Sequence, residues 1–364
     1  MAQPFVPPPY PYDRLDAFKR RADQRPGGVV DLSIGTPCDP PPDVVLDALA
    51  RSGAERGYPP SIGSAAYREA AAGWMARRLG VTVEPAQVAA CVGTKELVAG
   101  LPQWLRLRRP HLDTVLYPAI SYPTYAMGAT LAGGRAVPYV ALDDIDPVDA
   151  ARALCLWVNV PGNPTGELGD LGAAAAWGRA HGVPVLSDEC YVEFTWDGPP
   201  RTILEHGLDG VVAVHSLSKR SNLAGARAGF YAGDPELVGY LSEVRKHAGF
   251  MVPGPVQAAA VAAWGDDAHV EEQRARYLAR LDAMASALER VGIHAARPSG
   301  AFYLWVPAEG DDGWGLVGRL ADQGGALVSP GEFYGPAGAG HVRIAVVQPD
   351  DRIALVAERL AAGI

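Results

Sequence analysis

The feature that most limits the folds open to this chain is a series of nearly uninterrupted apolar runs separated by helical segments. The clearest runs are 153–160, 183–186 and 211–214, and the alanine-rich segment 171–181 between the first two has the composition of a helix. Strands that are apolar on both faces and joined by helices are typical of a mostly parallel sheet covered on both sides. The sequence therefore predicts an α/β fold.

Polar side chains follow these runs at the point where each strand is expected to end. Asn163, Asp188 and Lys219 each come within a few residues of the end of one run. Ligands of parallel sheets bind beyond the carboxyl ends of the strands, so we expect these three side chains to share a site. A Gly93-Thr94 turn between a strand and a helix adds backbone N–H groups and a hydroxyl, which together form a general anion site.

The remaining patterns divide the chain into a larger and a smaller domain. Further strands are predicted within 29–37 and at 88–92, 114–117, 136–142, 301–306, 326–328 and 341–347, and further helices at 64–79, 235–246, 257–264, 271–291 and 350–361. Two prolines in 251–257 predict a domain joint. We therefore expect an N-terminal arm and part of the small domain in 1–40, a large domain in 41–250 and a small C-terminal domain in 251–364.

The first 28 residues form the proposed arm, and they are rich in proline. Pro4, Pro7, Pro8, Pro9 and Pro11 favour an extended conformation over a helix. Such an arm either packs on a neighbouring subunit or is simply an ordered tail, and the sequence does not choose between the two.

Composition excludes several classes of protein. The 364 residues are 48% hydrophobic and 20% charged with a net charge of −9, as in a globular protein without a basic surface for nucleic acid or anionic membranes. Signal-peptide regions and apolar runs of about 18 residues are lacking, so we expect a cytoplasmic protein without a membrane span. The four cysteines have no metal-ligand spacing, so we expect no metal, and Cys155 and Cys190 are expected in the core.

The most reactive arrangement lies in 211–230. Lys219 directly follows a strand, and removal of water from around an ammonium group lowers its pKa. A neutral lysine amine can condense with an aldehyde, while Ser216, Ser218 and Arg227 are donors typical of a phosphate site. Pyridoxal 5′-phosphate is both an aldehyde and a phosphate, so this stretch indicates it as the cofactor. Taken alone, the stretch also fits a solvated lysine–arginine pair that caps a strand.

Three motifs occur in a fixed order: N-x-P-x-N-P-T-G at 159–166, S-D-E-x-Y at 187–191, and S-L-S-K followed by G-x-R within 216–227. In order and spacing they resemble the fold-type I aminotransferases of classes I and II over nearly the whole chain. The resemblance implies a large domain with a mostly parallel seven-stranded sheet and a smaller α+β C-terminal domain. It also implies pyridoxal 5′-phosphate as cofactor and a homodimer with shared active sites.

The resemblance further implies a role for each residue expected around the cofactor ring. Lys219 would carry the cofactor and move the α-proton of the substrate, and Asp188 would pair with the pyridinium nitrogen. Asn163 and Tyr191 would bind the phenolic oxygen of the ring. Tyr122 would stack on the ring face, although its residue type alone also fits core packing.

The resemblance also assigns residues to the phosphate and the substrate. The residues implied for the phosphate are Gly93, Thr94, Lys95, Ser216, Ser218 and Arg227. Tyr58 would reach the phosphate of the other subunit, and Arg343 would bind the substrate α-carboxylate with Gly35 and Asn163 nearby. From the residues alone, Tyr58 also fits a structural loop aromatic and Lys95 a solvated helix residue.

Longer stretches are similar to the actinobacterial-type N-succinyldiaminopimelate aminotransferases of lysine biosynthesis. They include D-L-S-I-G-T-P-C-D-P at 31–40, H-S-L-S-K-R-S-N-L-A-G at 215–225 and P-G-E-F-Y-G-P-A-G-A-G-H-V-R at 330–343. This similarity implies transfer of an amino group between L-glutamate and N-succinyl-2-amino-6-ketopimelate. The distal carboxylate of that substrate needs a second cation, for which Arg14, Arg220 and Lys246 are candidates.

Departures from the family pattern leave the exact substrate open. They are Val160 and Gly162 in the first motif, Ala226 before the phosphate arginine, and Ala-Ile-Ser at 119–121 ahead of Tyr122. The alternatives are therefore an aminotransferase for another amino acid in a specialised pathway, or a lyase or decarboxylase on the same scaffold. A regulator that only binds the cofactor is disfavoured because 1–28 is too short and proline-rich for a DNA-binding domain.

Overall fold

A computed structural model describes residues 5–363, so the expectation for Pro4 lies outside the described residues. The described chain forms two compact units: a large unit of residues 36–279 and 298–302, and a small unit of residues 5–35, 280–297 and 303–363. These limits differ from the predicted boundary at 251. The segment after 251 begins a helix that packs on two helices of the large unit, which explains why it belongs there.

Among the described residues, the large unit contains a seven-stranded sheet, which we call the large sheet. Its strands are β2 (Val88–Cys91), β3 (Thr114–Pro118), β4 (Arg135–Tyr139), β5 (Ala153–Asn159), β6 (Val185–Asp188), β7 (Val211–Ser216) and β8 (Gly229–Gly233). The order is β2-β8-β7-β6-β5-β3-β4, and only β8 is antiparallel to its neighbours in the hydrogen-bonded pairs of this sheet. The predicted α/β fold with a mostly parallel sheet is confirmed.

The central strands are apolar on both faces because both faces are covered. Every residue of β2, β6, β7 and β8 is buried. Alternate residues of β7 enter two different hydrophobic clusters, with Val211 and Ala213 in one and Val212 and Val214 in the other. Burial on both sides explains why these strands show continuous apolar runs instead of alternation.

The helices of the large unit lie before, between and after these strands in the chain. They are α2 (Asp43–Ala50), α3 (Ala65–Leu79), α4 (Thr94–Arg108), α5 (Thr124–Leu131), α6 (Pro147–Ala151), α7 (Leu171–His181), α8 (Leu217–Arg220), α9 (Pro235–His247) and α10 (Gly254–Gly265). Helix α11 (Ala268–Glu289) begins in the large unit and ends in the small unit. The ends of α3 follow from local sequence: the Ser64 side chain accepts a hydrogen bond from the Tyr67 N–H, and Gly80 adopts a φ of 69°.

The small unit has its own sheets and helices. Strands β9 (Tyr303–Pro307), β11 (Ser329–Pro330) and β12 (His341–Ala345) pair antiparallel in the order β11-β12-β9, and β1 (Val30–Asp31) pairs parallel with β10 (Ala326–Leu327). Its helices are α1 (Asp16–Asp23), α12 (Gly313–Gly324) and α13 (Asp350–Ala362). The predicted α+β character of this part of the chain is therefore correct.

The prediction of an extended N-terminal arm is wrong for most of its length. A 3₁₀-helix spans Pro11–Leu15 and leads directly into α1. Pro11 occupies the first position of that helix, where the lack of an N–H group costs no hydrogen bond. Phe18 stacks on Trp314 at 5.6 Å between ring centroids, so the arm packs on α12 of its own small unit.

The described residues lack two kinds of feature. Within 5–363, no helix combines the length and the apolar character that are required to span a membrane. In the same range, no cluster of three or more His, Cys, Asp or Glu side chains is placed to hold a metal ion.

Candidate active site

Lys219 lies where the central strand β7 gives way to the short helix α8. Ser216 ends the strand and caps the helix, because its Oγ accepts a hydrogen bond from the Ser218 N–H at 3.1 Å. Both serines are buried, and Lys219 is half-buried. The tight strand-to-helix turn therefore fixes the backbone that carries the lysine at the carboxyl end of β7.

Asp188 ends the neighbouring strand β6 and is held by donors on both oxygens. The Tyr125 hydroxyl donates to Oδ2 at 2.9 Å, and the Cys190 N–H donates to Oδ1 at 3.2 Å. Burial raises the pKa of Asp188 above its usual range, while these donors and the Lys219 ammonium act in the opposite direction. Asp188 and Lys219 thus lie close enough to interact electrostatically, as the sequence predicted.

Asn163 is brought to the same edge by a turn anchored on β5. The Asn159 side chain donates to the Asp188 carbonyl oxygen at 2.8 Å and accepts a hydrogen bond from the Asn163 N–H at 2.7 Å. Asn159 is also the register partner of Asp188 between β5 and β6. The first asparagine of the N-x-P-x-N motif therefore positions the second, which is buried.

A cradle suited to a phosphate forms where α4 begins. Gly93 has a φ of 71°, and a Cβ atom at this position would lie 2.5 Å from Cζ of Arg227. Arg227 also has a positive φ of 58°, and its Nη1 donates to the Ala224 carbonyl at 2.8 Å. The guanidinium is thereby held against a glycine backbone at a helix N-terminus, where anions are favoured.

Thr94 and Cys190 connect this cradle to the Asp188 carboxylate. The Cys190 thiol donates to Thr94 Oγ1 at 3.3 Å, while the Cys190 N–H bonds Asp188. Cys155 is buried as predicted, whereas Cys190 is only partly covered. The structure thus brings the predicted phosphate donors and the predicted ring-nitrogen carboxylate together within the large unit.

The two tyrosines predicted to contact the ring are in suitable surroundings. Tyr122 is half-buried, with its ring 6.0 Å from and nearly perpendicular to that of Tyr125. Tyr191 is buried and packs edge-on against Phe302 at 5.4 Å. Their roles toward a cofactor stay predictions.

Two further predicted residues lie on the surface of the large unit. Lys95 is exposed in the first turn of α4. Tyr58 has 97% of its surface exposed, so this chain alone does not bring it into the cradle.

Arg343 lies in β12 of the small unit and is buried. Its Nη2 donates to the Ser33 carbonyl at 2.6 Å, and its guanidinium lies over the rings of Tyr303 and Tyr334 at 4.2 and 4.7 Å. Gly35 follows Ser33 by two residues and is also buried. A Cβ at this position would lie 2.8 Å from the Tyr303 ring. Aromatic rings and a backbone carbonyl therefore orient this cation within the small unit.

Tyr12 also belongs to this environment, although the sequence did not predict it. Its hydroxyl lies 3.2 Å from that of Tyr334. Burial alone would raise the pKa of Tyr12, but the Arg343 guanidinium and hydrogen bonds from Tyr334, Ser329 and Arg343 bring it below its ordinary value. A single tyrosine in a proline-rich stretch carries no pattern that would have identified it.

The departures from the family pattern mostly share one location. A cavity of about 270 Å³ in the large unit lies beside the 159–163 turn, and Ile120, Ser121, Val160 and Gly162 all line it. Its charged lining consists of the carboxylates of Glu167 and Asp170; no Lys or Arg is present among the described residues around it.

The residues of the large unit fit pyridoxal 5′-phosphate. Lys219 supplies an amine, Asp188 a carboxylate suited to a protonated ring nitrogen, and Asn163 an amide donor. Because Gly93 has no Cβ, the Arg227 guanidinium can lie against its backbone. The guanidinium and the backbone N–H groups are thus together at one place and suit a phosphate.

Comparison with known proteins agrees with this assignment. The family model for aminotransferases of class I and II matches residues 27–360. The chain is 47% identical to a Streptomyces rimosus protein named 4-dedimethylamino-4-oxo-anhydrotetracycline transaminase OxyQ, over 97% of this chain and 99% of that one.

Solved structures show the same architecture. Substrate-bound BacF from Bacillus subtilis has a TM-score of 0.88 at 28% identity, with 99% of this chain and 98% of that chain covered. A probable N-succinyldiaminopimelate aminotransferase from Thermus thermophilus has a TM-score of 0.86 at 32% identity, with 98% and 100% covered. The chain therefore belongs to the class I and II aminotransferases and is a fold-type I enzyme that depends on pyridoxal 5′-phosphate.

Proposed function

We propose that this aminotransferase moves an amino group from an amino acid, with L-glutamate as the first donor to test, to a carbonyl compound of a specialised pathway. The observation that carries this choice is the similarity, along nearly all of both chains, to a transaminase named for a 4-oxo-anhydrotetracycline. The second candidate acceptor is N-succinyl-2-amino-6-ketopimelate, which the Thermus thermophilus structure favours.

The surroundings of the cations that were predicted to bind the distal substrate carboxylate support the first candidate, the carbonyl compound of a specialised pathway. Arg220 is buried and pairs with Glu193 at 3.0 Å and with Asp267 at 2.8 Å. Arg14 pairs with Glu332 at 2.5 Å, so it too already has an acidic partner. A substrate carboxylate would have to displace these partners from either arginine.

Lys246 is the remaining candidate for a distal carboxylate. It is 61% exposed and lies 3.6 Å from Glu243 on the same helix. An exposed ammonium contributes little binding free energy because water screens it. None of the three cations is therefore well placed to select a succinyl carboxylate. The side-chain carboxylate of L-glutamate would likewise lack a cationic partner among them. L-alanine, which has no such carboxylate, is therefore tested as a second donor.

The cavity that the family departures share also supports a neutral acceptor. Two carboxylates line it, together with apolar side chains and the neutral polar side chains of Ser121, Asn159, Asn163 and Thr165. A carboxylate entering such a space would lose hydration and meet like charge, which is unfavourable. An uncharged ring system would avoid the like charge, and its hydroxyl groups could exchange their hydration for hydrogen bonds to the neutral polar side chains of the lining.

In the proposed mechanism, pyridoxal 5′-phosphate supplies an aldehyde that accepts the amino group and a ring that withdraws electrons. Lys219 would hold the aldehyde carbon until the substrate amine takes its place, and the released neutral amine would then take the proton from the substrate Cα and return it on the cofactor side. Asp188 keeps the ring nitrogen protonated. Asn163 and Tyr191 donate to the phenolic oxygen, and Tyr122 covers one ring face.

Other groups bind and orient without taking a proton. The proposed phosphate ligands are the Gly93 backbone and the side chains of Thr94, Lys95, Ser216, Ser218 and Arg227. Arg343, with the Gly35 backbone and Asn163, binds the α-carboxylate, and the two aromatic rings beside its guanidinium fix the direction in which it presents its donors.

The test is a visible absorption titration of the purified holoenzyme with L-glutamate and L-alanine in separate experiments. We expect one of the donors to remove the visible band of the bound cofactor and to release its keto acid. Candidate acceptors, a polycyclic ring ketone and the succinylated keto acid, are then added singly to see which restores the band.

Two lysine variants control this experiment. Lys219→Ala should release no keto acid with any donor, whereas Lys246→Ala, at an exposed lysine, should behave as the wild-type protein. Restoration by the succinylated keto acid alone would refute the specialised acceptor and favour the second candidate. A band unchanged by every amino acid tested would contradict the proposed reaction.

We also propose a homodimer in which Tyr58 reaches the phosphate of the other subunit. The near-complete exposure of this ring supports the proposal. Mixing Tyr58→Ala with Lys219→Ala protein under exchanging conditions should restore up to about a quarter of wild-type activity, because a mixed dimer contains one intact site. No recovery despite proven subunit exchange would contradict shared sites.

A further inference from the structure

Asp188 receives a hydrogen bond from Tyr125, a residue for which the sequence predicted no role. The Tyr125 hydroxyl donates to Asp188 Oδ2 at 2.9 Å. Tyr125 has no exposed surface, and Asp188 is 7% exposed. A charge-assisted hydrogen bond between groups so well shielded from water is stronger than one at the surface.

The Tyr125 ring has little freedom to turn away. It lies in the first turn of α5 and stacks on Trp157 with 5.1 Å between centroids and 27° between planes. Trp157 is itself buried in β5, and Tyr122 packs edge-on from another side. The direction from which the hydroxyl approaches Asp188 is therefore fixed by packing.

Two of the protein donors to Asp188 act on different oxygens. Tyr125 binds Oδ2, and the Cys190 N–H binds Oδ1 at 3.2 Å. One donor alone would leave the carboxylate free to rotate about its Cβ–Cγ bond, while two donors on opposite oxygens define its plane. Each oxygen retains a lone pair for a further partner.

We propose that Tyr125 is a positioning residue for Asp188: its hydroxyl fixes the carboxylate plane and stabilises the anion, so that the proton shared with the cofactor ring nitrogen rests on nitrogen. The proposal depends on the role proposed above for Asp188 and extends it to a residue outside the cofactor contacts. No atoms are gained or lost, since only the position of one proton along a hydrogen bond changes.

The electrostatics of the pair agree with this direction. Burial raises the pKa of Asp188, and the Cys190 and Tyr125 hydrogen bonds act against that rise. Burial and the Asp188 charge hold the pKa of Tyr125 well above its ordinary value, so the hydroxyl stays protonated and acts as a donor. Without it, the shared proton would move toward Asp188, and the ring would withdraw electrons less strongly.

The experiment is ¹⁵N NMR of the holoenzyme reconstituted with ring-¹⁵N-labelled pyridoxal 5′-phosphate. In Tyr125→Phe, the ring-nitrogen resonance should move toward that of a neutral pyridine. The value of kcat should fall on the order of 10- to 100-fold with KM little changed, as expected for loss of one hydrogen bond to a charged group. A merely structural role for the tyrosine would not change the protonation of the ring nitrogen.

Tyr231→Phe is the matched control. Tyr231 is another fully buried tyrosine of the large unit, and its hydroxyl lies 3.2 Å from Ser242 Oγ. It should lower stability without moving the resonance. If Tyr125→Phe does not fold, 4-aminophenylalanine at position 125 provides a weaker donor of the same size and should give an intermediate shift.

The outcomes separate this proposal from the role of Asp188. A wild-type resonance in the Tyr125 variants, together with a neutral ring nitrogen in Asp188→Asn, would overturn the positioning role and leave the Asp188 assignment intact. A protonated nitrogen in Asp188→Asn as well would refute the Asp188 assignment itself. An equal shift in Tyr231→Phe would show a general effect of buried hydroxyls and also overturn the proposal.

Discussion

Glu189 and His215 form a buried pair whose contribution to stability should not change with pH between about 4.5 and 6.5. Replacing Glu189 with glutamine should make the stability of the protein depend on pH in that range. Glu189 Oε2 lies 3.4 Å from His215 Nε2, and both side chains are buried. The His215 ring packs against Trp74 and Phe230, each at 4.9 Å between centroids, and the Ile203 N–H donates to Glu189 Oε1. The pair has no access to water, so its proton count differs from that of the unfolded chain.

The number of protons bound by the pair in each state follows from the two pKa values. Burial raises the pKa of Glu189 to about 7 from an ordinary 4.5, and burial lowers the pKa of His215 to about 3 from 6.5. The folded pair therefore holds one proton from about pH 3 to 7, and the unfolded pair holds one from about pH 4.5 to 6.5.

Stability changes with pH only where the two states bind different numbers of protons. Below pH 4.5 the unfolded pair binds the extra proton, so stability falls as the pH drops. Between pH 6.5 and about 7 the folded pair binds it, so stability falls slightly as the pH rises. In between, the contributions of Glu189 and His215 cancel.

Glu189→Gln keeps the shape and removes one titrating group. His215 then acts alone: it is neutral when folded and gains a proton below pH 6.5 when unfolded, so the free energy of unfolding rises with pH. The slope is about 1.4 kcal/mol per pH unit. From pH 4.5 to 6.5 the variant should gain about 2.7 kcal/mol relative to the wild-type protein.

Equilibrium urea unfolding at pH 4.5, 5.5, 6.5 and 7.5, followed by tryptophan fluorescence at one protein concentration, measures this gain. Glu69→Gln, at an exposed glutamate of α3, is the matched control and should run parallel to the wild-type protein. Parallel curves for Glu189→Gln would refute the proton count, since they would mean that Glu189 is already ionised in the folded protein at these pH values.

Three further substitutions have expected outcomes. Gly93→Ala should weaken cofactor binding about tenfold or more in a fluorescence titration, because its Cβ would meet Arg227, whereas Gly53→Ala, at a similar φ of 63° with nothing within 4 Å, should not. Arg220→Ala should lower the free energy of urea unfolding by about 3–5 kcal/mol, because it breaks a buried ion pair and leaves Arg78 as the remaining cation beside the buried Glu193; an exposed-pair value below about 1 kcal/mol would contradict this. Arg343→Lys should raise KM for donor and acceptor more than it lowers kcat in steady-state kinetics, since a lysine cannot bind a carboxylate through two donors; an unchanged KM would argue against carboxylate binding there.

The parts of the fold that the sequence predicted are those in which one residue pattern has one physical cause. Continuous apolar runs such as the one that became β7 required burial on both faces, and Asp188 marked the point where the apolar run of β6 ends. The Ser64 cap and Gly80 likewise fixed both ends of α3. These signals are local, so no knowledge of the tertiary structure was needed.

The parts that escaped prediction depend on contacts distant in sequence. Prolines near Pro11 favour extended structure, yet packing of Phe18 on Trp314 stabilises a helix there. Tyr125 has the pattern of any core aromatic, and only its approach to Asp188 distinguishes it. Arg220 follows Lys219 directly, but no local signal shows that it pairs with buried acids.

The pairing of β1 with β10 has a consequence for how the chain emerges during synthesis. Val30 is the register partner of Ala326, 296 residues later (326 − 30), whereas the strands of the large sheet all lie between residues 88 and 233. At about 5–20 residues per second, the ribosome needs roughly 15–60 s to bridge that interval. The large sheet can therefore assemble before β10 has been synthesised, while β1 is still unpaired.

During that interval β10 is absent, so Val30 and Leu32, which are buried in the folded protein, lack the strand with which β1 pairs. Apolar segments left open in this way are what chaperones bind and what aggregates share. A ribosome stalled shortly before residue 326 would hold a complete set of large-sheet strands and an unpaired beginning. The start of this chain is thus among the last parts to reach its final structure.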